Sequence, residues 1–418
     1  MAAASPPQCP WVILRRVFCI APEPKDDAEA ESPRNVFISL RAPPRVTIFG
    51  VAPSVHPWGP HAISSDTFPY LVATAPSALL LCFSEGPIPI DTRDLILARH
   101  FVASAEPSRQ PTTGSAERVP RRRTVGPPSI PATYNIKSVG LTCGLSDGAY
   151  VIAELQVTKR SDHAKLHCIG SGDDGWVQKD LVSPLSAEER HWFSNGVVDH
   201  DKKLWWFDLS WGLLCCDPNA DHPDLSFHRL PPGRAFTQAD PFLLGNRCIG
   251  VSDNSLRFVE MARDILPDGC HSEDKFVVIW TLIPDPNADA DADGTVRLQW
   301  HQTYKMSFTE VWNDTSYQST RLPMLVPEIV LVNPRHPNVV YFFLEKSFFG
   351  VNMASHQVVH FVENSYRLVP PVPFLRVLPW DLSPSIANGL VEAIVPFPEQ
   401  GGSSTVESDV FFYCHSGE

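Results

Sequence analysis

Short apolar runs recur along the chain and are separated by clusters of Gly, Pro, Asn and Asp. They fall at residues 11–18, 35–40, 45–50, 78–83, 149–157, 203–207, 275–282, 295–300, 338–344 and 357–362. Most are four to eight residues long and rich in Val, Ile, Phe, Trp and Leu. That length and content predict strands. Helical periodicity is scarce. The best candidate helix is 187–193, with Ser186 and Glu189 at the spacing of a capping box.

The clearest local pattern lies at 197–232. A strand is followed by a polar turn at 199–202, then by the aromatic strand Leu204-Trp205-Trp206-Phe207. A turn at Gly212 leads to another strand, and Pro231 and Pro232 close the exit. This is the rhythm of a one-sheet meander. Strand alternation puts Trp205 and Phe207 on one face and Trp206 on the other. Between packed sheets both faces are buried, so these tryptophans are expected in the core rather than at a ligand. The predicted fold is all-β: a β-propeller-like array of antiparallel meanders with few short helices.

Less regular segments divide the chain. Residues 1–9 read as a disordered N-terminus and 10–103 as a first set of strands. Residues 104–134, rich in Pro, Ser, Thr and Arg, read as a flexible linker or insertion. Residues 135–415 hold the remaining strands.

Composition narrows the function classes. The 418 residues include 43% hydrophobic positions, enough for a substantial core, and 41 prolines, which favour strands between fixed turns over helices. The net charge of −13, with Lys and Arg scattered, argues against a nucleic-acid partner. Ten cysteines occur without a C-x-x-C pair and mostly within apolar runs, as buried free thiols do. The start lacks the basic region of a secretory signal, and the longest apolar segment, 70–83, falls short of the ~20 residues that span a bilayer. A cytoplasmic or nuclear protein without a membrane segment is expected.

Four motifs invite chemistry. Gly170-Ser171-Gly172-Asp173-Asp174-Gly175 matches a dinucleotide fingerprint, yet two aspartates stand where phosphate would approach, so a hairpin loop is expected. Asp289, Asp291, Asp293 and Gly294 reproduce the first half of a calcium-binding loop. Trp300 stands where that loop needs its bidentate carboxylate, which leaves a weak calcium site or a solvated acidic loop. His163 and His167, followed by Cys168, have ligand spacing only if helical; on a strand they lie ~13 Å apart. The basic run Arg121-Arg122-Arg123 before Thr124 reads as a solvated linker tract, with Thr124 phosphorylation and nuclear import as alternatives. The nucleophile elbow, the H-E-x-x-H zinc pattern and the Walker loop are all missing.

Most of the chain outside the linker, with a core at 197–351, resembles a plant family abundant in grasses, called domain of unknown function 1618. The run Leu204-Trp205-Trp206-Phe207-Asp208-Leu209 is the most specific part, supported by 331–351 and by Pro379-Trp380-Asp381. A weaker similarity extends to the propeller-like associated domains of F-box proteins, although no F-box precedes the strands. The resemblance implies no reaction and transfers no site residue. The expected role is a non-enzymatic module or adaptor with a protein partner. A hydrolase using a propeller channel and a calcium-dependent binding module stay open as alternatives.

Overall fold

The computed structural model describes residues 10–20, 35–55, 70–84, 93–102, 112–122, 135–146, 148–238, 240, 243–265, 271–286, 297–363 and 377–387. Two compact units result: Met1–Val119 with Trp380–Glu418, and Pro120–Pro379.

The first unit is built on a mixed nine-stranded sheet. Its strands are β1 (Trp11–Arg15), β2 (Cys19–Ile20), β3 (Val36–Ser39), β4 (Val46–Val51), β5 (Tyr70–Ala75), β6 (Ala78–Ser84), β7 (Arg93–Val102) and β8 (Thr112–Arg118). The order is β1-β4-β3-β8-β7-β6-β5, with β2 beside β4 and a late strand, Val377–Asp381, on the far side of β1. β1 and β2 run parallel to β4, so this sheet is not a simple meander. Leu79, Leu80, Leu81 and Cys82 are all fully buried, so β6 is covered on both faces. Trp380 is also buried; its indole N–H donates to the Ala75 carbonyl at 2.8 Å, and its ring meets Phe101 edge-on.

β8 corrects the linker expected at 104–134, because a strand lies inside it. Its small polar residues hide the usual signal for a steric reason. A Cβ on Gly114 would stand 2.5 Å from the Phe101 ring, so the bulk of this layer comes from β7. The division between units falls at Val119 and Pro120, and the chain after Pro379 returns to the first unit instead of extending the second.

The second unit contains four antiparallel four-stranded meanders in series. The first blade is β9 (Val139–Cys143), β10 (Tyr150–Val157), β11 (His163–Gly170) and β12 (Val177–Val182). The second is β13 (Gly196–His200), β14 (Lys203–Asp208), β15 (Gly212–Cys216) and β16 (Ser226–Arg229). The third is β17 (Arg247–Ser252), β18 (Ser255–Ile265), β19 (His271–Pro284) and β20 (Leu298–Ser307). Helices α1 (Phe308–Asn313) and α2 (Thr315–Thr320) lead to the fourth: β21 (Glu328–Val332), β22 (Val339–Leu344), β23 (Ser347–Asn352) and β24 (Gln357–Val362). The returning strand Val377–Asp381 is β25.

The first strand of each blade packs on the first strand of the next, from β9 to β13 to β17 to β21. Serial meanders joined through their leading strands form a propeller-like array. Each gap between blades holds its own core. Leu155, Leu166 and Cys168 meet Leu204, Trp206 and Cys216 in the first gap. Trp205, Leu213 and Cys215 meet Ile249 and Phe258 in the second. Val277 and Ile279 meet Val340, Phe342 and Phe349 in the third. Trp205 and Trp206 therefore serve opposite cores, as alternation requires. Cys215 and Cys216 diverge in the same way, and both are free thiols.

Tight turns set the registers. Asp201-Lys202 and Asp253-Asn254 are two-residue connections with both residues at positive φ, the geometry whose twist matches a hairpin. The helix expected at 187–193 does not form. That stretch runs as an irregular connector, held by Arg190 in contacts described below. The capping box occurs instead at Ser307 and Glu310, ahead of α1, where Phe308 and Val311 supply a buried stripe.

Candidate functional site

Each connector enters its blade beside the end of the second strand. In the second blade, β13 begins at Gly196 opposite Phe207, while Gly212 pairs with Asp208 on one side and Arg229 on the other. The incoming connector, the 209–211 turn and the outgoing connector thus share one end of the sheet.

A buried carboxylate sits near that end of the second strand in three blades, and an arginine from the connector side reaches each. Glu154 on β10 is fully buried, is ion-paired with Arg122, and accepts the Asn135 amide at 2.6 Å. Asp208, ending β14, faces Arg190 at 3.1 Å. Glu260 on β18 takes Arg234 at 2.8 Å and Arg247 at 3.1 Å. Burial lifts the Glu154 and Glu260 carboxyls above the usual range, opposed by these guanidinium groups. The same burial lowers Arg190 and Arg247, against the pull of Asp208 and Glu260. Paired charges of this kind hold backbone in place, because a buried carboxylate is tolerated only beside its partner.

Arg190 is the most connected of these groups. It donates to Asp208, to the Ser210 carbonyl at 3.1 Å, to the Ser210 hydroxyl and to the Phe236 carbonyl. Its guanidinium lies over the Trp211 ring, 5.0 Å from the centroid. One residue thereby joins the incoming connector, the turn and the outgoing connector.

An open recess of about 750 Å³ adjoins this junction. Arg190 and Trp211 line it together with Lys159 from the first blade, Glu188, Arg229 and Phe236. Phe236 is 41% exposed, while Arg247 covers one of its faces at 4.4 Å. Both charged and apolar surface is thus presented on a stapled framework.

The motifs singled out by sequence end up apart. Gly170 to Gly175 form the β11–β12 turn, with the Gly170 amide donating to Asp173 Oδ2 at 2.6 Å and Gly172 at φ +87°. The hairpin reading holds. His163 and His167 lie on β11; the first is exposed, and burial lowers the second to about 4. Among the described residues no group of three or more His, Cys, Asp or Glu could hold a metal ion. Asp289, Asp291 and Asp293 lie outside the described residues, as does Thr124. The basic run is corrected at Arg122: instead of a solvated side chain, it is 11% exposed and ion-paired with the buried Glu154. The staples went unrecognised in the sequence, although a signal existed. Glu154 is a lone carboxylate inside the apolar run of β10, which burial alone would forbid, whereas Glu260 shares β18 with Arg257, Arg263 and Asp264 and carries no such mark.

Residues 206–341 match the family described as Protein of unknown function (DUF1618). The match runs from Trp206 on β14 to Tyr341 on β22, inside the 197–351 core of the resemblance and short of the wider span it was expected to have. No curated protein matches the sequence. Among solved structures, the β-propeller domain of Myceliophteria thermophila Cps50 (Swd1) is 11% identical, covering 75% of this chain and 84% of that one with a TM-score of 0.34. The WD40 domain of SCAP from fission yeast is 10% identical, covering 71% and 61%, with a TM-score of 0.27.

Proposed function

We propose that this protein is an interaction module that engages a protein partner through the connector end of its second unit. The observation that carries the reading is the set of three arginine–carboxylate staples at Glu154, Asp208 and Glu260. Connectors are ordinarily the freest parts of a sheet protein. Fixing them in advance reduces the ordering cost of association. A face that combines locked backbone, a half-exposed phenylalanine and several charged side chains suits recognition. The carboxylates at its base are committed to guanidinium groups, an arrangement that holds chain in place rather than passing protons.

The test is affinity capture from cells with substitutions at opposite ends of the blades. Lys159→Glu with Arg229→Glu alters the connector end; Asp201→Lys with Asp253→Lys alters the two-residue turns. Partners should be lost with the first pair and kept with the second. Equal retention by both pairs, each verified as folded by circular dichroism, removes the proposal.

A further inference from the structure

We infer that the recess beside Trp211 takes an acidic peptide segment, with a carboxylate meeting Lys159 and an adjacent apolar side chain against Phe236. The inference rests on the interaction-module reading and names the chemistry of its partner. It follows from which charges are already spoken for. Glu188 is held by Arg229 at 2.5 Å, and Glu189 by Arg160 at 3.0 Å. Lys159 has no ion-pair partner among the described residues. Arg190 adds positive charge to the wall but no free donor, since its Nε is buried and its terminal nitrogens are committed to Asp208, Ser210 and Phe236. The uncommitted charge is therefore the cation of Lys159.

Cationic ligands meet the opposite situation. The aromatic faces that would attract them are already covered, Trp211 by Arg190 at 5.0 Å and Phe236 by Arg247 at 4.4 Å. A third cation would face two guanidinium groups. The volume of about 750 Å³ lies within the ~300–1,000 Å³ common for ligand sites. The chain's net charge of −13 repels acidic partners at long range, but salt screens this beyond ~8 Å. Selection is thus left to contacts made inside the recess.

Fluorescence anisotropy on the full chain tests this, using three labelled octapeptides. One alternates glutamate with phenylalanine; its twins carry lysine or serine in place of glutamate. The acidic peptide should bind tightest. Lys159→Glu should weaken it roughly tenfold, the size of one charge-assisted hydrogen bond, and shift preference to the lysine peptide. Lys159→Arg should restore the original order. Equal binding of all three peptides overturns the inference, as does unchanged acidic-peptide affinity in Lys159→Glu. If the partner capture described above still depends on the connector end while the peptides show no preference, the module stands and the acidic ligand falls. Loss of both, with the thermal transition unchanged from wild type, overturns the two together.

Discussion

Asp199 on β13 receives the Thr142 hydroxyl at 2.9 Å across the gap from β9, and burial raises its carboxyl to about 6. The folded protein therefore holds this proton more tightly than the unfolded chain does. Stability should fall as pH rises from about 4 to 6, and the deficit should persist above. Asp199→Asn keeps an acceptor for Thr142 and removes the charge. We expect it to stabilise at pH 7 by up to about 3 kcal/mol and to have no effect below pH 4, as read by urea denaturation. An equal difference at both pH values would reject burial as the cause. His228 works in the opposite direction. Its ring lies 5.3 Å from that of Trp205, and burial, helped by Lys203, lowers it to about 4. Below pH 6.5 the unfolded chain takes the proton first, so stability should drain away between 6.5 and 4. His228→Gln should flatten that decline; an unchanged slope counts against it.

At the scale of elements, inner strands of the second unit such as β14 and β22 were legible because they are buried on both faces. Long apolar runs such as Lys203–Asp208 and Val339–Leu344 follow directly from that burial. β8 was hidden because its residues are small and polar, and at Gly114 Phe101 fills the space a side chain would take. The 187–193 connector was misread because a capping pattern is local, whereas the contacts of Arg190 with Asp208 and Phe236 are not. The staples were missed for the same reason: Arg122 and Glu154 are 32 residues apart. Their energetic weight is testable. Arg122→Ala strands a buried carboxylate and should cost about 3–5 kcal/mol in chemical denaturation. Joint replacement by Arg122→Met and Glu154→Leu should cost far less, since no charge is left unpaired. A double variant as unstable as the sum of both single changes would show that the pair does not act as a unit.

At the scale of the whole molecule, the two units differ in how the chain builds them. The first needs both ends of the sequence, because β25 joins a sheet whose other strands precede Val119. The second is one continuous stretch, Pro120–Pro379, and its three inter-blade cores draw only on residues within that stretch. The sequence carried the 197–232 meander of this unit but not the partition, since a returning strand leaves no local mark. A stretch that contains its own cores and staples has what independent folding requires. Residues 120–379 expressed alone should therefore unfold in a cooperative thermal transition with near-ultraviolet dichroism from the buried Trp205 and Trp206. Arg122→Ala should lower that transition, because Arg122 and Glu154 both lie inside the fragment. A broad, non-cooperative melt would mean that the blades depend on the first unit, and the staples would then be insufficient to hold the array.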